Sequence, residues 1–313
     1  MTTSLAQTKL KTHDSRLTTF QLSESAFAYL LNLPAILTVL LLVAYPIVDA
    51  FWLSLHRYNL RRPETYAFVG LQNYVDVVTS AEFFPSLSVT LLFTFWSTFG
   101  VLLLALGMAL VANEHIPQRP ILRALILLPW AMSGVVTALM WKWIFNPNAG
   151  ALNGLLYSLG IISHYRSWLL SPDTSYLAII SANVWNTLPF SALVLLAGLQ
   201  AIPSELYDAA KVDRASLWAR FRHVTLPWLS QPILIVLIVQ ALGGIRIFDI
   251  IYLLTGGGPG YQTTTLGFAA YITSFVSTDI GRGNAWAYTV ALLTLVIAIF
   301  YMKLLYGRGD IRS

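Results

Sequence analysis

The sequence predicts an all-α polytopic membrane protein with six transmembrane helices. Apolar residue types make up 57% of the 313 residues and charged types only 11%, whereas about 25% of the residues of a soluble domain are charged. So little charge cannot cover a surface that faces water. Neither Phe83 to Asn113 nor Thr174 to Ser204 contains a charged residue. Each stretch is longer than the roughly 20 residues that a helix needs to cross a bilayer core.

Six segments meet this requirement of length and apolarity. They are residues 27–54, 87–112, 121–145, 175–199, 226–253 and 287–306. The transmembrane domain is therefore predicted over 27–306, between a polar N-terminal arm (1–26) and a short tail (307–313), both cytoplasmic. We expect the uncharged segment 261–278 to be an interfacial helix, because a seventh span would place the basic C-terminal end outside.

The distribution of basic residues predicts the orientation. With both termini in the cytoplasm, twelve Lys and Arg residues lie inside and five outside, as expected when cytoplasmic loops are enriched in positive charge. The connections 55–86, 146–174 and 254–286 then lie outside. The longest internal connection runs from Pro203 to Pro227.

Motifs for common catalytic chemistry are missing from the sequence. Gly-Lys occurs nowhere, which excludes a P-loop, and the five histidines include no HExxH pair. The absence of cysteine excludes disulfides and thiolate-bound metals. The glycine-rich TGGGPG at 255–260 has no phosphate-binding lysine after it and predicts a tight turn. No residue set therefore favours an enzyme or a resident metal.

The internal connection differs from the rest of the chain in its charge. The 18 residues from Glu205 to Arg222 contain seven charged side chains. Proline bounds the segment on both sides, and its apolar and polar residues predict an amphipathic helix over 204–222. Such a helix can dock on a partner protein or lie on anionic lipid, and its composition leaves both open.

This stretch resembles the cytoplasmic EAA loop of ABC-importer permeases. The family pattern is Glu-Ala-Ala, three residues, Gly, nine residues and Ile-x-Leu-Pro. Here Asp208-Ala209-Ala210 begins the pattern, Arg214 stands at the glycine, and Val224-Thr225-Leu226-Pro227 ends it. In the family this coupling helix docks into a groove on a separate ATPase subunit. The resemblance implies ATPase-coupling roles for Asp208, Ala209, Ala210, Asp213, Arg214, Trp218 and Phe221. If the glycine adopts a positive φ, arginine there is strained.

Three further segments are similar to the carbohydrate branch of these permeases, of the maltose/oligosaccharide type. They are FVGLQNYVDV (68–77), VWNTLPFSALVLLAGLQAIPSELYDAA (184–210) and FDIIYLLTGGGPGYQTTTL (248–266). The resemblance implies the ABC-permease (MetI-like) fold in a bacterial plasma membrane, and a translocation pathway for a sugar, oligosaccharide or related polyol.

The same resemblance implies four kinds of partner. They are a second permease subunit, two ATP-binding subunits, an extracytoplasmic solute-binding protein and membrane lipid. ATP and Mg²⁺ would bind the ATPase subunits, so this chain is expected to be no enzyme and to hold no cofactor. The alternative is a secondary transporter or channel for a small neutral solute.

A polar face of the fourth predicted span marks a candidate solute site. Asn183, Asn186, Thr187 and Phe190 lie at i, i+3, i+4 and i+7, on one face of a helix. Amides can bind the hydroxyls of a sugar while a ring covers its apolar face; polar residues here can equally bridge packed helices. The resemblance to maltose-type permeases adds positions in the fifth predicted span. These positions are Gln240, Gly244 and Ile247. Trp185, in the fourth predicted span, is a further candidate.

Four charged residues lie within or beside predicted spans: Asp49, Lys142, Arg246 and Asp249. We expect them near the outer interface, with side chains that reach towards water; Arg246 and Asp249 are spaced to pair. The helix centres then carry no charge, which suits a neutral solute. Gly243-Gly244 either makes room for a solute, allows a kink, or permits close helix packing.

Overall fold

The structure is a computed structural model that describes residues 23–114 and 127–306. Most of the predicted N-terminal arm, the tail 307–313 and the first part of the predicted span 121–145 lie outside the described residues. The chain divides into two units, residues 1–49 and 50–313. Within the described ranges the protein is helical apart from one two-stranded ribbon, as the predicted fold class requires.

The first predicted span corresponds to a helix that contains one wide turn. Helix α1 (Glu24–Val39) continues through a π-helical turn (Leu40–Ala44) into α2 (Tyr45–Ser54). The apolar part, Phe27–Ser54, is 28 residues long, which exceeds the length needed to cross a bilayer. Its bounds match the predicted 27–54.

The connection that follows is ordered by an antiparallel ribbon. Strand β1 (His56–Arg57) pairs with β2 (Ala67–Phe68), and helix α3 (Gln72–Val78) comes next. Buried Asn73 of α3 donates from Nδ2 to the carbonyl oxygens of Ser54 and His56, each at 2.8 Å. A single amide therefore fixes the end of the first span against the loop.

Three long helices form the frame of the larger unit. They are α4 (Phe83–Asn113), α7 (Pro172–Gln200) and α14 (Ile280–Tyr306). Helix α4 packs most extensively on α7, where the fully buried Ala105 and Ala109 of α4 share an apolar cluster with Leu195 of α7. Small residues one turn apart let two backbones approach closely in a membrane.

The predicted helix 121–145 is wrong as one continuous helix. Residues 128–133 form turns, and helix α5 runs only over Gly134–Ile144. Pro129 cannot donate a helical hydrogen bond, and Ser133 starts the new helix by accepting from the Val136 amide at 3.4 Å. Helix α6 (Ala151–Ser158) lies in the connection that follows.

The charged segment and the predicted fifth span are also interrupted, contrary to the expected helices 204–222 and 226–253. The chain forms α8 (Ser204–Val212), α9 (Leu217–Arg220), a π-helical turn (Phe221–Thr225), α10 (Leu226–Trp228), α11 (Ser230–Ile245) and α12 (Asp249–Leu254). The helices on either side of Leu229 are bent by 64°. Residues 246–248 leave the helical path between α11 and α12.

The segment 261–278 is too short to span a membrane as a helix. It contains α13 (Leu266–Tyr271) and a π-helical turn (Ile272–Val276), which together rise only about 16 Å. By length and composition, four helices of the described residues can cross a membrane, or five if the bent pair at Leu229 is one span.

Candidate solute cavity and coupling loop

One cavity of about 310 Å³ lies between α7, α11, α12 and the turn before α5. Seven of the eight residues predicted to contact solute line it: Asn183, Asn186, Thr187, Phe190, Gln240, Gly244 and Ile247. Helical periodicity brings the α7 residues onto one wall, because they share a face of a continuous helix. Their role in binding stays a prediction; their convergence on one cavity is a property of the structure.

The side-chain amide of Asn186 holds the turn before α5 in place. Its Nδ2 lies 3.0 Å from the Pro129 carbonyl oxygen, 3.2 Å from that of Met132 and 2.9 Å from Thr137 Oγ1. An amide nitrogen has two hydrogens, so these acceptors leave no donor of Asn186 for a solute. Asn186 therefore bridges helices, the alternative that the sequence left open.

The side chain of Asn183, one turn earlier on α7, is not held by hydrogen bonds of this kind. The side chain is 8% exposed and lines the cavity, and within the described residues its amide makes no hydrogen bond. A nearly buried amide without a partner loses free energy unless water or a ligand satisfies it. Asn183 is thus the amide best placed to bind a solute.

Gln240 contributes from the opposite wall, on α11. Its Nε2 donates to Ser191 Oγ of α7 at 2.9 Å, which ties the two helices together. The amide still offers its carbonyl oxygen as an acceptor. On α7, the Thr187 hydroxyl donates to the Asn183 backbone oxygen at 2.9 Å.

Two aromatic rings form an apolar side of the cavity. Trp130 and Phe190 stack with centroids 5.8 Å apart and planes inclined by 23°. Trp130 was not among the residues predicted to contact solute. Trp185 is absent from the lining of this cavity and contacts Trp141 edge-on, with centroids 6.3 Å apart.

The two glycines of α11 have different surroundings. A Cβ at Gly244 would lie 2.8 Å from Thr94 Oγ1 and 3.1 Å from Thr94 Cα, whereas a Cβ at Gly243 would have no atom within 4 Å. Gly244 therefore permits close packing of α11 on α4. Gly243 leaves open space on the cavity side.

Arg246 and Asp249 also line the cavity, at the break between α11 and α12. Arg246 Nε donates to the Leu242 carbonyl oxygen at 3.0 Å, and Asp249 Oδ2 lies so near Gly134 that a Cβ added there would clash with it. The described residues contain two ion pairs, Lys211–Asp208 and Arg282–Asp76, so Arg246 and Asp249 do not form the pair that their spacing would have allowed. The break removes the helical i, i+3 register that would have brought them together.

The sequence missed these two charges as cavity residues because it predicted an unbroken helix through 253. Gly243, which the sequence analysis named only as a position that could make room for a solute, also lines the cavity, and the lining residues that the sequence missed outright are Trp130, Gly134, Val239 and Ile250. Continuing the helical spacing from Gln240 through Ile247 would have found Gly243 and Ile250. No helical spacing in the sequence indicated the turn that brings Trp130 to the cavity.

The charged segment forms two short helices joined by a tight turn. The hydroxyl of Tyr207 in α8 forms a hydrogen bond with Thr225 Oγ1 at 2.9 Å. This bond joins the beginning of the loop to its end. Lys211 and Asp208 form an exposed ion pair at 2.8 Å, worth at most about 1 kcal/mol at such a site.

Arg214 adopts the left-handed conformation, with φ +53°. Its amide donates to the Lys211 carbonyl oxygen at 3.0 Å, and the Ala215 amide to that of Ala210 at 2.9 Å. This pattern is a Schellman motif, in which the residue after the C-cap is commonly glycine. The turn at Arg214 is therefore as sharp as glycine would allow, and arginine adopts it with strain.

The outer surface of the loop is apolar. Trp218 is 67% exposed and stacks on Phe221 with centroids 5.6 Å apart, and Val212 and Leu217 are more exposed still. Asp208, Ala209, Asp213 and Arg214 are exposed, while Ala210 and Phe221 are partly buried. Exposed apolar side chains grouped in this way are typical of a protein or membrane contact.

Comparison with known proteins identifies the family. A family model described as "Binding-protein-dependent transport system inner membrane component" matches residues 101–309. The trehalose/maltose transport system permease protein MalF of Thermococcus litoralis is 40% identical over 287 residues, which cover 92% of this chain and 96% of the relative. The trehalose transport system permease protein SugA of Mycobacterium tuberculosis is 35% identical over 285 residues, covering 91% of this chain and 90% of the relative.

Solved structures agree in fold. A chain of a bacterial ABC transporter that imports the acidic polysaccharide alginate superposes with a TM-score of 0.76 at 23% identity, covering 89% of this chain and 94% of the other. At that identity the likeness establishes the fold alone. Together with the family match, it places the chain among membrane permeases of ABC importers: the chain belongs to the family of binding-protein-dependent transport system inner-membrane components.

Proposed function

We propose that this chain is the permease subunit of an ATP-driven importer and forms the translocation pathway for a sugar, oligosaccharide or related polyol. The observation that carries the proposal is the cavity, which the side-chain amide of Asn183 lines together with the stacked rings of Trp130 and Phe190. Sugars present hydroxyls at their rim and an apolar face, so they match amides beside an aromatic surface.

The size of the cavity is consistent with a small ligand. Its volume of about 310 Å³ is at the lower end of the roughly 300–1,000 Å³ typical of small-molecule sites. The relatives named for trehalose and maltose support a disaccharide as the first solute to test.

The coupling loop supplies the contact to the motor. Two ATP-binding subunits, which carry ATP and Mg²⁺, bind the apolar surface around Trp218, and a second permease and a solute-binding protein complete the importer. The chain lies in the plasma membrane with both termini in the cytoplasm, as its basic residues predict. ATP binding moves the loop, and the loop biases the spanning helices between inward-open and outward-open states.

Uptake by the assembled complex tests the proposal. Proteoliposomes containing this chain with its sister permease, its ATPase subunits and its binding protein are supplied with labelled trehalose or maltose. We expect uptake that requires ATP and is lost in Asn183→Ala. Ser181→Ala is the matched control, since Ser181 is exposed on another face of α7 and bonds only to its own helix, at 2.7 Å from the Leu177 oxygen.

The rival function is a secondary transporter or channel for a small neutral solute. One observation favours it: Asp249 is an ionisable group in the cavity wall, and such groups can carry coupling protons. Uptake by this chain alone, driven by a proton gradient and indifferent to ATP, would replace our proposal with the rival.

The double variant Asp208→Ala/Trp218→Ala tests the role of the loop. Both side chains are exposed, so their loss leaves the fold intact while it removes contact area. We expect uptake to fall because transport is uncoupled from the ATPases or the ATPases fail to assemble. ATP-driven uptake at the parental rate would count against coupling through this loop.

A further inference from the structure

The break between α11 and α12 presents two opposite charges to the cavity. Arg246 and Asp249 lie at its two ends, and both side chains are exposed and line the cavity. Charged groups are costly to hold out of water unless a partner or a ligand satisfies them. The two do not pair with each other, so their position requires another explanation.

The surrounding residues fix the break in place. The Thr265 hydroxyl, fully buried, donates to the Ile247 carbonyl oxygen at 3.2 Å and accepts from the Phe268 amide at 3.3 Å, where α13 begins. Gly267 lies beside the same carbonyl, since an added Cβ would be 3.3 Å from the Ile247 oxygen. One hydroxyl therefore links the unwound residues to the start of the next helix, and the charges stand on a supported backbone.

The polar atoms that remain free are complementary. Arg246 uses Nε on the Leu242 carbonyl, and its two terminal nitrogens have no hydrogen-bond partner in the described part of the chain. The carboxylate of Asp249 likewise accepts no hydrogen bond from a described residue. A guanidinium donates only and a carboxylate accepts only, so a ligand that satisfies both must accept hydrogen bonds from one and donate to the other. The opposite charges of the two groups favour a ligand without net charge.

We propose that Arg246 and Asp249 form a specificity subsite for neighbouring hydroxyls of a neutral sugar or polyol, with one hydroxyl oxygen accepting from Arg246 and an adjacent hydroxyl donating to Asp249. This inference rests on the proposed function and names the part of the solute that the cavity selects. Hydrogen bonds to charged groups are stronger than those between neutral groups, so this subsite contributes more to selection than Asn183. A solute carrying an acid group would gain from Arg246 but be repelled by Asp249.

Neutral, nearly isosteric variants test the subsite in the assembled importer. Arg246→Gln and Asp249→Asn are compared with the parent for ATP-driven uptake of labelled trehalose and maltose, at saturating binding protein. We expect each to lower uptake about 10- to 100-fold, the size of a lost hydrogen bond to a charged group, while the basal ATPase of the complex shows that assembly is retained. The matched control is Lys142→Gln, which removes a charge outside the cavity and keeps a donor for the Leu253 oxygen that Lys142 contacts at 3.0 Å.

Deoxygenated sugars separate recognition from stability. The parent should reject an analogue that lacks the contacted hydroxyl, whereas Asp249→Asn should transport analogue and parent sugar at rates that differ far less. Uptake by Arg246→Gln and Asp249→Asn within about twofold of the parent overturns the inference, as does faster uptake in Asp249→Asn, which would show that the carboxylate hinders the sugar instead of binding it. If uptake is unchanged in Arg246→Gln and Asp249→Asn while Asn183→Ala abolishes it, only the proposed subsite is rejected. If the parent imports no sugar at all, the proposed function is rejected.

Discussion

The two walls of the cavity are built differently. Helix α7 is continuous for 29 residues, even through Pro189, whereas the segment opposite bends by 64° at Leu229 and leaves the helical path again after Ile245. The side chains of the continuous wall include amides and a ring, and the broken wall presents two glycines, two charges and an amide. A continuous helix keeps side chains in fixed register, while a break turns side chains towards a cavity that a helix would have directed elsewhere.

The comparison separates residues that hold the walls from residues that face solute. Asn186 and Gly244 both line the cavity, yet the first bonds to a neighbouring turn and the second packs on α4. Asn183 and Gly243 also line the cavity, but the Asn183 side chain bonds to no described residue and Gly243 does not pack on a neighbouring helix. Paired substitutions at these positions therefore distinguish structural from binding roles.

The largest effect is expected at the broken wall. Gly244→Ala forces a Cβ to 3.1 Å from the Thr94 backbone, so α11 must move away from α4, at a cost of about 1–3 kcal/mol. Gly243→Ala meets nothing and gains helix propensity. Thermal unfolding of the detergent-solubilised complex should show a lower Tm for Gly244→Ala only. Equal Tm values for the two variants would contradict the close approach of the helices.

The continuous wall offers the next contrast. Asn186→Ala removes the donor that contacts two carbonyl oxygens in the turn before α5 and one hydroxyl within α5. We expect the free energy of unfolding to fall by about 1–3 kcal/mol, with a lower Tm. Asn183→Ala removes no such bond, so stability should stay near the parent while uptake falls. The reverse pattern, with Asn183→Ala unstable and Asn186→Ala stable, would reassign the two amides.

A smaller effect is expected in the coupling loop, outside both walls. Arg214→Gly relieves the left-handed strain at φ +53° and should stabilise the loop by up to about 1 kcal/mol, with uptake retained. Arg214→Val places a β-branched residue in that conformation and should impair loop and uptake together. The ATPase activity that accompanies sugar uptake is measured in the two variants. If Arg214→Val is as active as the parent, the loop does not require a positive φ at this position.

Much of this architecture follows from the sequence. Uncharged stretches predicted the long helices, and helical spacing predicted the face of α7, because a continuous helix converts sequence spacing directly into position. The EAA pattern likewise located the coupling loop, although the helix predicted over 204–222 is broken at the turn around Arg214. These features depend on local sequence alone.

The breaks could not be predicted in the same way. At residues 246–248 the unwound backbone is held by Thr265, a residue distant along the chain, and at residues 128–133 the turn is held by Asn186. Apolar periodicity does not encode such tertiary hydrogen bonds. This is why Arg246 and Asp249 were not among the residues expected at the cavity, and why Trp185 was expected at a solute site and packs on Trp141.

The central claim is that solute occupies the space between the two walls. Because the chain contains no cysteine, a single cysteine at Gly243 is the only thiol of this chain, and its labelling is read on this chain after the subunits are separated. In the assembled importer, trehalose or maltose should slow the reaction of Gly243→Cys with a hydrophilic thiol reagent and leave Ser181→Cys unaffected. If sugar is imported yet the labelling rate of Gly243→Cys does not change, solute passes elsewhere and the cavity is not the pathway.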